Sequence, residues 1–241
     1  MNKFTKRTKK ALGSDLVSKF RNNRFCVIGC SGTGANFAEM LVRTGARKID
    51  LVDGSKVKRS GLNRVFAFLK SDCGSKKTAA LARRLHMIGP DITVREFSTH
   101  FRSREASANQ SQDEDVWLAV STAYAVFIAV DSREDRVSIE KFCEENSRGK
   151  YLSCGILVDR EKGNFEFECN WKPDSSDPPQ SEATEHDGYG PENASFISIV
   201  VEAASIAFTM LLSHMKDRDS RFRNYSKRYD GSFQPVEDII N

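Results

Sequence analysis

Short apolar runs alternate along the chain with stretches in which apolar residues recur every three or four positions. Arg24–Gly29 is a run of the kind a buried parallel strand needs. Gly34–Thr44 follows with Phe37, Met40 and Leu41 at helical spacing and Gly45 as a stop. Ile49–Val52 reads as a second strand and Lys76–Ile88 as a helix ended by Gly89-Pro90. Ile92–Phe97 and Tyr124–Val130 read as the third and fourth strands, Arg133–Asn146 as a helix, and Tyr151–Leu157 as a fifth strand. The pattern then changes. Phe165–Trp171 alternates in the manner of an antiparallel strand, and Phe196–His214 is a long apolar helix. Together these predict an α/β fold: a Rossmann-like, mostly parallel sheet with helices on both faces, plus a C-terminal antiparallel extension and a long helix. Such sheets bind ligands beyond the carboxyl ends of their strands.

Composition narrows the picture without changing it. With 241 residues, 39% hydrophobic and 29% charged, the chain fits one large globular domain. The most apolar stretch, Phe196–Leu212, is interrupted by Ser198, Glu202, Ser205 and Thr209, so it reads as a buried helix and no membrane partner is expected. The N-terminus is basic but lacks an apolar signal core, which points to the cytoplasm. Six cysteines form no CxxC pair, so reduced thiols and no zinc are expected. The net charge of +4 is unevenly spread: eight basic residues face one acid up to Arg24, whereas 174–192 holds six acids and no Lys or Arg. Three parts follow: a basic arm or helix over 1–23, one domain over 24–215 with a loop at 172–194, and a tail over 216–241.

Gly29-Cys30-Ser31-Gly32-Thr33-Gly34 links the first strand to the first helix. Small residues there let a phosphate approach the helix amino end, where N–H groups lack partners. Ser31 stands where the usual pattern has its second glycine. Asp53 ends the second strand at the position where an acid bonds ribose hydroxyls, or else caps the turn at Gly54. Beyond it, Ser60-Gly61-Leu62-Asn63-Arg64 precedes Lys77 by one short segment, and Asp131 follows the fourth strand. Two cations and a carboxylate around the open end of the sheet suit a triphosphate with magnesium. Each alone has an ordinary reading: a solvated cation, or a helix-capping acid.

The run VIGCSGTGANFAEMLVRTGARKIDLVDGSKVKRSGLNR, with GSKKTAALARRLHMIGPDITV and AVDSREDR, resembles the ThiF/MoeB/HesA family, bacterial relatives of ubiquitin-activating enzymes. The resemblance covers Arg24–Gly155 and, loosely, Phe196–Leu212. It implies an ATP- and magnesium-dependent adenylyltransferase acting on the C-terminal carboxylate of a ubiquitin-like or sulfur-carrier protein. It also implies a homodimer, with a conjugating enzyme as a further partner. By position, Gly29, Gly32 and Gly34, with Ser31 among them, match the phosphate loop, and Asp53 the ribose acid. Arg64 and Lys77 match the phosphate-contacting cations, and Asp131 the magnesium-site aspartate. The family also draws an arginine from a partner copy's N-terminal segment, for which Arg7 is the candidate here.

Two departures stand out. Gly61 occupies the place of a nucleotide-contacting asparagine, with Asn63 close by, and the zinc-binding cysteine pairs are absent. Cys169 is the least implausible thioester former, although a structural role fits it better. The four histidines, 86, 100, 186 and 214, show no metal or triad spacing. The alternatives are a tRNA-modifying member of the same family, resembling the threonylcarbamoyladenosine dehydratases, and a non-catalytic subunit that binds a ubiquitin-fold partner. A nicotinamide oxidoreductase gives Arg64, Lys77 and Asp131 no joint task.

Overall fold

Alternate residues of the first strand enter two separate cores. In β1 (Arg24–Ile28), Phe25 and Val27 point to one face and Cys26 and Ile28 to the other. β2 (Lys48–Val52) and β4 (Ala125–Ile128) divide in the same way. This two-sided burial explains why these strands read as unbroken apolar runs. The computed structural model describes residues 3–107, 110–146, 150–159, 164–172, 197–217, 224–229 and 235–240.

On one face α2 (Ser14–Asn22), α3 (Gly32–Thr44), α4 (Lys77–Ile88) and α7 (Ile197–Lys216) cover the sheet; α5 (Gln110–Thr122) and α6 (Arg133–Asn146) cover the other. The first core is centred on Phe37, stacked on Phe127 at 3.9 Å and edge-on to Phe208 at 5.6 Å. α7 is longer than its sequence reading, and by length and composition it is apolar enough to cross a membrane. Here Ala203, Ala204, Ala207, Met210 and Leu211 are buried in the first core against α3, β5 (Tyr151–Asp159) and β6 (Asn164–Lys172). Lys19 Nζ donates to the Met215 carbonyl at 2.8 Å and closes the carboxyl end of that helix.

With β3 (Thr93–Phe97), β7 (Asn224–Tyr229) and β8 (Pro235–Ile240), the strands form one sheet in the order β3-β2-β1-β4-β5-β6-β7-β8. The pairs from β3 to β5 are parallel and those from β5 to β8 antiparallel, so the α/β class with an antiparallel extension is the one observed. Within β2 an acid interrupts the apolar run. Asp50 is fully buried and accepts from Arg24 Nη1 at 2.7 Å and from Arg95 Nε and Nη2 at 2.7 and 2.6 Å. Side chains from the two flanking strands thus satisfy one carboxylate, as burial of a charge requires.

Three regions differ from expectation. α5 was not anticipated, because its first turns are polar and only Val116, Trp117, Ala119 and Val120 reach the core. The tail adds two strands that its mixed composition does not signal: β7 pairs with β6, and β8 with β7, through the backbone. The basic arm is two helices, α1 (Lys6–Leu12) and α2, and Leu16, Val17 and Phe20 of the second are buried. The acidic stretch 174–192, within the expected loop, lies outside the described residues.

Candidate active site

Strand order reverses between β1 and β4: β2 and β3 extend the sheet one way, and β5 and its successors the other. The carboxyl ends of β1 and β4 therefore flank the crevice where such folds bind ligands. The phosphate loop lies at this point. Gly29 has φ +91° and donates its N–H to the Val52 carbonyl at 2.9 Å. A Cβ on Gly29 would run into the Ala129 carbonyl, and one on Gly34 into the Gly29 carbonyl. The glycines thus first press the loop onto the strand ends. Ser31 caps α3 without a side-chain cap hydrogen bond. Ala35 N–H makes the first intrahelical bond, to the Ser31 carbonyl at 2.7 Å, so the amides of Gly32, Thr33 and Gly34 precede the helical ladder. Unpaired amides at a helix amino end can receive an anion.

Asp53 ties this loop to the rest of the site. Its Oδ2 accepts from Cys30 N–H at 2.8 Å and its Oδ1 from Ser55 N–H at 2.7 Å, while Lys77 Nζ stands 3.6 Å from Oδ2. Asp53 therefore caps the following turn, as one of its sequence readings has it, and also lies against the loop after β1. Each carboxylate oxygen keeps a lone pair for a further donor such as a ribose hydroxyl. Lys77 opens α4, and its own N–H donates to the Ser55 carbonyl at 3.0 Å. The Cys30 thiol is pushed well up by burial and then by the Asp53 charge, so it stays protonated within this anion-seeking loop.

Other residues singled out in the sequence are placed less closely. Arg64 is half-buried, and its Nη1 donates to the Ser60 carbonyl of its own segment at 3.3 Å. Asn63 is exposed in a turn, and Asp131 is exposed between β4 and α6. None of the three touches Asp53 or Lys77 in the described hydrogen bonds and ion pairs. Gly61 faces open space and has no positive φ, so neither packing nor backbone conformation requires glycine there. Arg7 is exposed on α1, and neighbouring Thr5 packs against Gly45 beyond the carboxyl end of α3. Arg7 therefore lies at the amino ends of the strands, across the sheet from its own chain's phosphate loop.

Residues 5–225 match the family model described as the ThiF family. The chain belongs to the ThiF family. Ubiquitin-like modifier-activating enzyme 5 of Drosophila virilis is 28% identical over 158 residues, which are 62% of this chain and 37% of that protein. The protein of the same name from Oryza sativa subsp. japonica is 27% identical over 163 residues, or 64% and 37%. The chain thus spans a little over a third of these curated relatives. Among solved structures, E. coli MccB in a crystal with ATP superposes with a TM-score of 0.74 at 17% identity, over 100% of this chain and 72% of MccB. PaaA gives 0.66 at 13% identity, over 100% and 76%. At those identities the likeness is one of fold.

Among the cysteines of this ThiF-family chain, Cys169 has the buried setting of the structural role that its sequence reading favoured. Cys169 cannot serve as the thioester former: it is fully buried, its Sγ lies 3.4 Å from Cys154 Sγ, and it donates to the Ala203 carbonyl at 3.4 Å. Burial pushes its thiol well up, which suppresses the nucleophilic thiolate. Cys73, which the sequence did not single out, is the exposed one of the six. Among the described residues no three or more His, Cys, Asp or Glu side chains group to hold a metal. Magnesium is usually held by one or two carboxylates together with substrate phosphates, a pattern that a lone Asp131 fits. A cavity of about 490 Å³ lies on the outer side of α6, lined by Arg104, Arg133, Lys141 and Phe142 among others, and contains none of the site residues. Sequence reasoning also passed over His100, whose ring lies over Gly54, the residue after Asp53.

Proposed function

We propose that the chain is an ATP-dependent adenylyltransferase that activates the C-terminal carboxylate of a ubiquitin-like or sulfur-carrier protein as an acyl-adenylate. The observation that carries this reading is the Asp53 carboxylate, which links the phosphate loop at Cys30 with Lys77 at the start of α4. An acid for a ribose, an open helix terminus and a cation are thereby fixed within one crevice. The name of the ubiquitin-like modifier-activating relatives supports the substrate class, and the structure of MccB with ATP supports the cosubstrate.

In the reaction a carboxylate oxygen of the carrier attacks the α-phosphorus of ATP. An oxygen–phosphorus bond forms, the bridge to the β-phosphorus breaks, and its electron pair leaves on pyrophosphate. A C-terminal carboxylate is already ionised at neutral pH, so no general base is required. The chain's contribution is placement and charge stabilisation. The free amides at the start of α3 receive phosphate oxygens, and Lys77 and Arg64 offset the charge that develops toward pyrophosphate. Asp131 would hold magnesium, which when bound neutralises phosphate charge. Arg7 can reach such a site only from a second copy, so the working unit proposed is a cytoplasmic homodimer whose product passes to a conjugating enzyme.

A second reading, modification of a tRNA base by the same chemistry, is favoured by one observation. Lys56, Lys58, Arg59 and Lys70 are exposed beside the site and form no ion pair among the described residues. Phosphate backbones bind such surfaces. ATP–pyrophosphate exchange separates the readings, measured against a panel of ubiquitin-fold proteins with free C-terminal glycine and against bulk tRNA. The expected result is exchange dependent on a ubiquitin-fold protein and lost in Lys77→Ala and Asp131→Ala, with the circular dichroism of both variants unchanged. Exchange dependent on tRNA alone would move the assignment to the second reading. Failure to bind ATP, with tight binding of a ubiquitin-fold protein, would favour a non-catalytic subunit, and normal exchange in both variants would refute the site.

A further inference from the structure

We propose that Cys154 and Cys169 form a site of reversible oxidative modification, where the two thiols close to a disulfide and thereby loosen α7 from the phosphate loop. The disulfide goes beyond the function proposed above; its consequence for ATP rests on that reading.

The pair is built into the sheet. Cys154 of β5 and Cys169 of β6 are direct partners in the antiparallel register. Residues so opposed have Cα atoms about 4.5–5.5 Å apart, inside the range that a disulfide spans. Both side chains enter the first core, and their Sγ atoms lie 3.4 Å apart. Bond formation therefore needs side-chain rotation and no change of strand register.

The oxidant class that fits a buried site is a small neutral peroxide. Cys154, the less deeply buried of the two, meets it first. Its sulfur attacks one peroxide oxygen, the O–O bond breaks, a sulfenic acid forms, and the other oxygen leaves with the thiol proton as water. Cys169 Sγ then attacks that sulfenic sulfur. The S–S bond forms, and the hydroxyl departs with the Cys169 proton as a second water. Two thiols have lost two protons and two electrons, and the peroxide has become two waters. Burial holds the Cys169 thiol protonated, so the pair answers to sustained rather than passing oxidation. A dithiol reverses the step by exchange.

The consequence follows from what Cys169 holds. As a thiol it lies 3.4 Å from the Ala203 carbonyl of α7, to which it donates. A disulfide sulfur has no proton to give, so this contact between β6 and α7 is lost. Val200 lies three residues before Ala203, on the same side of the helix. It packs on the phosphate loop, where a Cβ on Gly32 would come within 3.0 Å of its Cγ1. One face of α7 thus touches the thiol pair and the loop together.

The test uses the full chain with Cys73→Ser, which removes the exposed thiol, and the same chain with Cys154→Ala added. Each is treated with hydrogen peroxide or with a phosphine reductant. Remaining thiols are alkylated in denaturant and mapped by mass spectrometry, amide hydrogen exchange is followed over 197–207, and ATP is titrated in magnesium buffer. Peroxide should join one pair of peptides through Cys154 and Cys169, two hydrogens lighter than the separate thiols. Exchange in 197–207 should quicken, and ATP should bind about three- to tenfold more weakly, the scale of one lost hydrogen bond. Dithiothreitol should reverse all three, and the Cys154→Ala chain should show none of them. Free thiols at both positions after peroxide, a sulfinic acid, or a disulfide to another cysteine overturns the site. A mapped disulfide with unchanged exchange in 197–207, or with unchanged ATP affinity in a chain that binds ATP when reduced, overturns its action on the loop. A reduced chain that binds no ATP removes the nucleotide reading, while the mapping and the exchange still decide this inference.

Discussion

Glycine has opposite meanings at two positions of this site. Gly34 touches the Gly29 carbonyl, so a single methyl forces backbone apart, whereas Gly61 faces open space. Gly34→Ala should lower stability by about 1–3 kcal/mol, the usual cost of overpacking, and weaken ATP binding through the displaced loop. Gly61→Ala should stay within about 0.5 kcal/mol of the wild type. Thermal unfolding of the two variants side by side checks this, and equal destabilisation would contradict the close approach described. The same contrast shows what the sequence can tell. The pattern of glycines, Asp53 and Lys77 was legible because phosphate and ribose chemistry demands those residue types in a fixed order. His100 was not, because its contact with Gly54 arises only when β3 pairs with β2 and carries a distant segment to the end of β2.

At the scale of elements, strands buried on both faces announce themselves, and elements held by pairing or by one short apolar turn do not. β1 and β4 were readable from composition, while β7 takes its place from β6 and α5 from four core residues. The seam between α6 and β5 carries its own electrostatic signature. Glu140 of α6 is raised above its ordinary value of 4.5 by burial; bonding to Ser153 and the Arg136 charge oppose this, and the Glu168 and Glu144 charges add to it. Folding therefore favours its protonated form. That contribution is fully present below the ordinary glutamate range and is lost as pH rises through the raised value. Glu140→Gln should accordingly raise the melting temperature at about pH 8, and the gain should shrink at about pH 5. A gain that is equal at both pH values, or larger at the acid one, would show that the carboxylate is not penalised at this seam.

For the molecule as a whole, the eight-stranded sheet places its two ends in different roles. The carboxyl ends of β1 and β2 carry the loop, Asp53 and, through α4, Lys77. The amino ends carry α1 and Arg7, which one copy cannot turn toward its own site. In the function proposed above, Arg7 would therefore have to come from a second copy. The class of reaction is tested most directly by following the phosphorus atoms of ATP. The chain would be incubated with magnesium, with a ubiquitin-fold protein that supports exchange, and with ATP labelled at the α-phosphorus or, in a parallel sample, at the γ-phosphorus. An adenylyltransferase puts the α label on the carrier protein and leaves the γ label in pyrophosphate. Transfer of the γ label to the carrier, or its release as inorganic phosphate with ADP as the other product, would contradict activation as an acyl-adenylate.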